Sequence, residues 1–340
     1  LIICHISLNS KSFEEYDEIE LTNDSTLVTY FRDNLNNHTL GDIYVLDTTT
    51  ILTSFYEPLE NPYKLYQTLS NSGLAHKKLD FFYPTSIGFN TELSSFQSYI
   101  RNQENIIFPI VAQPFTEIKY MMGDKKEQHL EVLFSREFLP NFFITLNYDI
   151  DFSPGIYKRS KMQNSFFNGN LRYNTKNGRY GISGYYYNNK IDIQESGGIK
   201  YDSVFINNIE TDKSIIDVNL TGATNLIKVS GFAVDQYFNI SGNKSDGKND
   251  SISSRRFGIG RINHHFAYQR NRYIYEDTNP LSYFYQSFDH VIDSTKTSDS
   301  IYFHNVRNVI YWNNLGYKKY NNDIPFYLTF GIEHNFTYHA

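Results

Sequence analysis

One cysteine in 340 residues, Cys4, excludes an internal disulfide framework and any metal site built from several thiolates. Also missing is any run near the roughly 18 to 20 apolar residues that a membrane-crossing helix needs. The longest candidate, IIFPIVA at 106–112, is short and interrupted by Pro109. Positive charge is in deficit as well: the formal net charge is -6, the pI is about 5.9, and the lysines and arginines are scattered. Without a basic stripe to neutralise phosphates, nucleic acid is excluded as a partner class. Only nine prolines, with 40% hydrophobic content, rule out a disordered chain.

What the chain has instead is aromatic side chains, 17% of the total and nearly all Tyr or Phe. From about Gln113 they fall into blocks of roughly ten residues with a period of two, the period of an extended strand. In FFITLNYDIDF, Phe142, Ile144, Leu146, Tyr148, Ile150 and Phe152 share one face, and Thr145, Asn147, Asp149 and Asp151 share the other. PFTEIKYMM sets Ile118 and Tyr120 against Glu117 and Lys119. EQHLEVLFSREF sets Leu130, Val132 and Phe134 against His129 and Glu131. NSFFNGNLRYN sets Phe167, Leu171 and Tyr173 against Asn168, Asn170 and Arg172. RYGISGYYYNN follows the Asn-Gly pair of TKNG, a strong hairpin signal. Further strands are expected in VSGFAVDQYFNI, in RRFGIGRINHHFAYQRNRYIY, and within 302–316 and 324–338.

The connections alternate in length. Long ones are expected at 153–163, 190–226 and 276–301, and shorter ones at 139–141, 175–178, 241–254 and 317–323. This is the signature of an antiparallel meander with one ragged end and one trim end. Residues 1–110 have a different texture, irregular and rich in turn formers, and are read as a mixed, loop-rich segment ahead of a strand region at 111–340. The opening LIIC fits either the remnant of a signal peptide at 1–4 or a buried N-terminal strand.

Eleven residues at about 3.3 Å each span roughly 36 Å, and a tilt near 45° leaves about 25 Å along a barrel axis. That is the height of the apolar band of a membrane barrel. A soluble sandwich would bury the greasy face and wet the polar one. A membrane barrel inverts this, placing lipid outside and water inside. Strand length, the aromatic load and the alternating loops favour the barrel over a soluble sandwich or fibre.

The stretch QPFTEIKYMMGDKKEQHLEVLFSREFLPNFFITLNYDIDFSPGIYKR, followed by RYNTKNGRYGISGYYYNNKI and ESGGI, resembles the putative porin family of outer-membrane proteins of Bacteroidota. The similarity runs from about Ser86 to the end and is densest over 113–200. It implies an all-β fold, an antiparallel up-and-down transmembrane β-barrel in the cell outer membrane, preceded by a signal peptide and an N-terminal region. It also implies a barrel larger than the chain shows. About nine strands are counted, an odd number where bacterial barrels have even ones, so a sheet of these strands alone is expected to stay unclosed.

The function this implies is a water-filled channel for passive diffusion of small polar solutes, with no enzymatic activity and no cofactor. Its pore-lining residues would be Glu117, Lys119, Glu131, Asn147, Asp149, Asp151, Asn168, Asn170 and Arg172. Residues 1–110 would either plug the lumen or lie in the periplasm. The expected partners are outer-membrane lipid and the permeant solutes, with room for a homo-oligomer or a surface partner protein. The rival is a barrel without a channel, a scaffold that grips a protein or glycan through loops 190–226 and 276–300.

Other motifs carry less. His264 and His265 point to opposite faces of a strand and cannot chelate one ion together. Asp149 and Asp151, about 6 to 7 Å apart on one face, could suit a glycosidase pair but have no cleft, and read as a solvated acidic patch. SDGKND at 245–250 lacks the further ligands and terminal Glu of a calcium loop. GIG at 258–260 lacks the third Gly and the strand-to-helix setting of a dinucleotide site.

Overall fold

The structure is a computed structural model that describes residues 2–7, 28–32, 43–46, 59, 65–69, 71–80, 95–176, 178–207, 210, 212–241, 258–286, 297–313 and 327–339. In chain order the strands are β1 (Ile2–Ser7), β2 (Thr29–Arg32), β3 (Ile43–Val45), β4 (Tyr66–Thr68), β5 (His76–Lys78), β6 (Ile107–Ile110), β7 (Phe115–Met122), β8 (Gln128–Leu139) and β9 (Phe142–Ser153). They continue with β10 (Met162–Asn174), β11 (Tyr180–Gln194), β12 (Ala223–Ser241), β13 (Gly258–Asp277), β14 (Thr297–Asn313) and β15 (Tyr327–His339). Two short helices, α1 (Asp202–Ile206) and α2 (Ser282–Tyr285), lie in connections. Among the described residues, no helix is long and apolar enough to cross a membrane.

Strands β7 to β15 form an antiparallel up-and-down meander in which every strand pairs with its sequence neighbour, and β1 adds to the far edge against β15. No ladder joins β7 to β1 among the described residues, so the sheet is open. The nine-strand meander is the one read from the period-two blocks. A strand at Ile2–Ser7 is one of the two alternatives that LIIC offers, while its pairing with β15 is not read from the sequence, where 1–110 stand apart from the meander.

Turn chemistry explains the trim end. Two residues, Pro140 and Asn141, link β8 to β9. Asn141 takes φ +62°, in the left-handed region that Asn tolerates, and its N–H donates to Glu137 Oε1 at 2.6 Å. Between β10 and β11, Gly178 takes φ +63°, the conformation hairpin turns ask of glycine. The connections that leave β9, β11 and β13 after Ser153, Gln194 and Asp277 all start at the other edge of the meander. Strands β11 to β14 run further toward these loops than the hydropathy pattern indicates. Residues 190–194 and 223–226, read as loop because Lys190 and Asp192 are polar, belong to the ladder of β11 and β12.

The described residues within 28–110 supply a second layer. Strand β2 pairs with β3 and β6 in a small sheet, β4 pairs with β5, and the segment 96–110 lies across one face of β9 to β13. Its Phe96, Tyr99, Ile100, Ile106 and Phe108 pack with Met162, Phe166, Tyr185, Tyr187, Ile191 and Ile227 into the main core. Phe108 stacks on Phe31 (5.1 Å between centroids, 8° between planes) and meets Tyr185 edge-on. The large sheet therefore has a covered face and an open face.

Candidate functional site

The two faces have inverted polarity. On β9, Asn147 is 8% exposed and Asp149 2%, while Leu146 is 44% and Tyr148 42% exposed. Register extends this across the sheet: Thr116, Phe134, Leu146, Gly169, Tyr186, Phe232, Tyr268, Val306 and Phe336 form one row on the open face of nine successive strands. Trp312 stacks on Phe330 nearer the trim end. Nine strands at about 4.8 Å give roughly 40 Å of width, and Phe142 to Phe152 give about 24 Å of height at a 45° tilt.

All nine sequence-derived residues stand on the covered face. Neighbouring strands bring Lys119 between Glu117 (3.3 Å) and Glu131 (3.6 Å), a partly exposed charged group on β7 and β8. Asp149 is ion-paired with Arg101 of the overlying segment. Asp151 bonds His129 and accepts from Asn164 Nδ2 at 3.1 Å. Asn168 donates to the Tyr186 carbonyl at 3.0 Å, and Asn170 to the Ile107 carbonyl at 2.9 Å. The Arg172 guanidinium lies between the rings of Phe31 (5.1 Å) and Phe143 (4.6 Å). The structure thus gathers the nine on one surface. Asn147, Asp149, Asn168 and Asn170 are buried, and the Glu117, Lys119 and Glu131 group remains partly open.

Sequence reasoning missed the groups that join the two layers. Asn189 accepts from the Arg101 N–H at 3.0 Å and donates to the Arg101 carbonyl at 2.8 Å, pairing with that residue as a strand neighbour would. Buried His265 bonds Asp235 and meets Gln103 at 3.3 Å. His264, on the open face, meets Asn308 at 3.1 Å. Asn71 reaches Ser153 Oγ and the Ser160 carbonyl. Only the Asn and His of strands β10, β11 and β13 hinted at such contacts, and their partners lie far off in sequence. Several covered-face residues, among them Asn147, Asp149, Asn164 and Asn305, keep a buried side-chain oxygen with no partner among the described residues.

The long-loop end is ordered by its own polar network. Asp277, fully buried at the end of β13, accepts from Tyr285 Oη at 2.7 Å and from the Asn279 N–H at 3.0 Å, and Tyr275 and Tyr285 share a bond of 2.7 Å. Burial, together with the bonds to Asp277 and Tyr275, pushes the Tyr285 hydroxyl pKa up. Glu195, at the start of 195–222, is also raised, because burial disfavours its charge more than the bond from Asn225 restores it. The SDGKND stretch lies outside the described residues. Among the described residues no group of three or more His, Cys, Asp or Glu is placed to hold a metal ion.

Residues 27–340 match the family described as "Putative porin". The chain belongs to the putative porin family. No match was found among curated proteins or among solved structures. For a porin-family sheet, an apolar open face opposite a face that gathers the Asn, Asp, Glu, Lys and Arg side chains is the polarity that lipid outside and water inside require.

Proposed function

We propose that the chain forms the wall of an outer-membrane channel through which small polar solutes diffuse passively, with no enzymatic step. The observation that carries this is the inversion of polarity across β7 to β15. The open face presents aromatic and aliphatic rows to hydrocarbon, and the covered face carries Asn, Asp, Glu, Lys and Arg beside the apolar side chains of β10 to β12 that pack on segment 96–110. Buried oxygens of Asn147, Asp149, Asn164 and Asn305 with no partner among the described residues suit a hydrated interior, since such groups are ordinarily satisfied by water.

Within this reading residues 28–110 act as a plug over β9 to β13, held by Arg101 and by the Phe108 core. The open group Glu117, Lys119 and Glu131 borders the passage beside it. Conduction is spread over many side chains, so no single lumenal residue is essential. In a planar bilayer the account expects discrete open steps. A correctly inserted chain that stays electrically silent would refute it.

A second reading has its own support. The loops at 195–222 and 278–286 are packed around Leu220, Ala223 and Tyr285 and bonded through Asp277, a rigid platform of the kind that binds a protein or glycan. Silent insertion together with saturable binding of a surface ligand would favour that scaffold.

A further inference from the structure

On the open face, toward the long loops, a row of the sheet turns cationic. Lys190, Lys228 and Arg272 stand directly opposite one another on β11, β12 and β13, and Tyr302 of β14 ends the row. One row nearer the apolar band, Arg270 stands opposite Ser230 and His304. The alternate residues Asn189, Val229 and Asn271 are buried on the covered face, so all four cations point away from it.

Directly opposed like charges destabilise a ladder. The nearest open-face carboxylates by register, Asp192 and Glu276, belong to rows closer to the loops. Among the described residues none of the four cations is ion-paired. The Arg272 guanidinium lies 5.1 Å from the Tyr302 ring centre, which orients it without neutralising it, and its Nε has no hydrogen-bond partner among the described residues. Among the described residues nothing neutralises the row, which suits an anionic ligand.

Its position says which. Two rows away toward the trim end lie Tyr186, Phe232 and Tyr268, the edge of the apolar band. Lys190 to Arg272 spans two strand spacings, about 10 Å, within which long side chains can converge on one phosphate. We infer that Lys190, Lys228 and Arg272, aided by Arg270, form a docking site for the phosphate head group of an anionic lipid, whose acyl chains lie on Tyr186, Phe232 and Tyr268. The site rests on the membrane-barrel reading, because only a lipid-facing sheet brings a head group to this height.

The test compares vesicles of phosphatidylcholine alone with vesicles also containing phosphatidylglycerol, using the full chain and native mass spectrometry of the lipid it retains. The wild type is expected to retain phosphatidylglycerol over phosphatidylcholine by about tenfold or more. The triple variant Lys190→Gln, Lys228→Gln, Arg272→Gln should lose that preference, and the pair Lys190→Arg, Lys228→Arg should keep it. Should the triple variant not insert, Lys228→Gln alone decides: a preference reduced severalfold supports the site and an unchanged one overturns it. Displacement of the lipid by millimolar inorganic phosphate would overturn the lipid assignment in favour of a free anion. Insertion into both vesicles with no head-group preference overturns the site and leaves the barrel standing. Failure to insert into either overturns both.

Discussion

Arg101, on the segment that crosses the sheet, is ion-paired with Asp149, whose side chain is 2% exposed while that of Arg101 is 34% exposed. The unequal burial makes the pair unequal to its two deletions. Arg101→Ala strands a buried carboxylate and should cost about 3–5 kcal/mol. Asp149→Asn leaves a cation that water can reach and should cost about 1–3 kcal/mol. In urea unfolding of the detergent-folded protein, Arg101→Ala combined with Asp149→Asn should be less destabilised than Arg101→Ala alone.

The same segment is held by packing. Phe108 is buried between Phe31 and Tyr185, and Phe108→Ala should destabilise the second layer by about 3–5 kcal/mol. If residues 28–110 obstruct the lumen, limited proteolysis should cut this region first, and single-channel conductance should rise. Unchanged conductance with a released segment would place the obstruction elsewhere.

The loop platform answers to a hydroxyl. Tyr285→Phe removes the bond to buried Asp277, a hydrogen bond to a charged group contributing about 1.5–3 kcal/mol. Hydrogen exchange across 278–286 should accelerate, and bilayer conductance should stay as it was.

Glu195 supplies a pH dependence. Its folded pKa is raised by burial, so the folded loop binds a proton more readily than the unfolded chain does. Stability is then fully present below the ordinary glutamate value of about 4.3 and is lost as pH rises through the raised folded value. Protection of 195–222 from exchange should fall as pH rises above the ordinary glutamate value. Glu195→Gln should flatten that slope.

Strand faces were legible in the sequence because the period-two contrast between the faces is local to each strand. The alternation of Leu146 and Tyr148 with Asn147 and Asp149 needs no knowledge of any partner. The second layer was hidden for the opposite reason. Phe96, Tyr99, Ile106 and Phe108 follow no single period, and their partners Tyr185, Tyr187 and Ile191 lie in GYYYNNKI, where consecutive aromatics give no contrast between faces. Asn189 looked like an ordinary strand polar residue, yet its bonds run to Arg101, 88 positions away. Strand ends were shortened because Lys190, Asp192 and Lys228 face outward beyond the apolar band, where polarity no longer distinguishes strand from loop.

Which side of β9 meets hydrocarbon is read directly by spin labels placed singly at 146 to 150 on a Cys4→Ser background, through power saturation in vesicles. Labels at 146, 148 and 150 should relax with dissolved oxygen, and those at 147 and 149 should not. Shielding of 146 and 148 from oxygen, with 147 and 149 open to a water-soluble nickel chelate, would contradict a lipid-facing sheet.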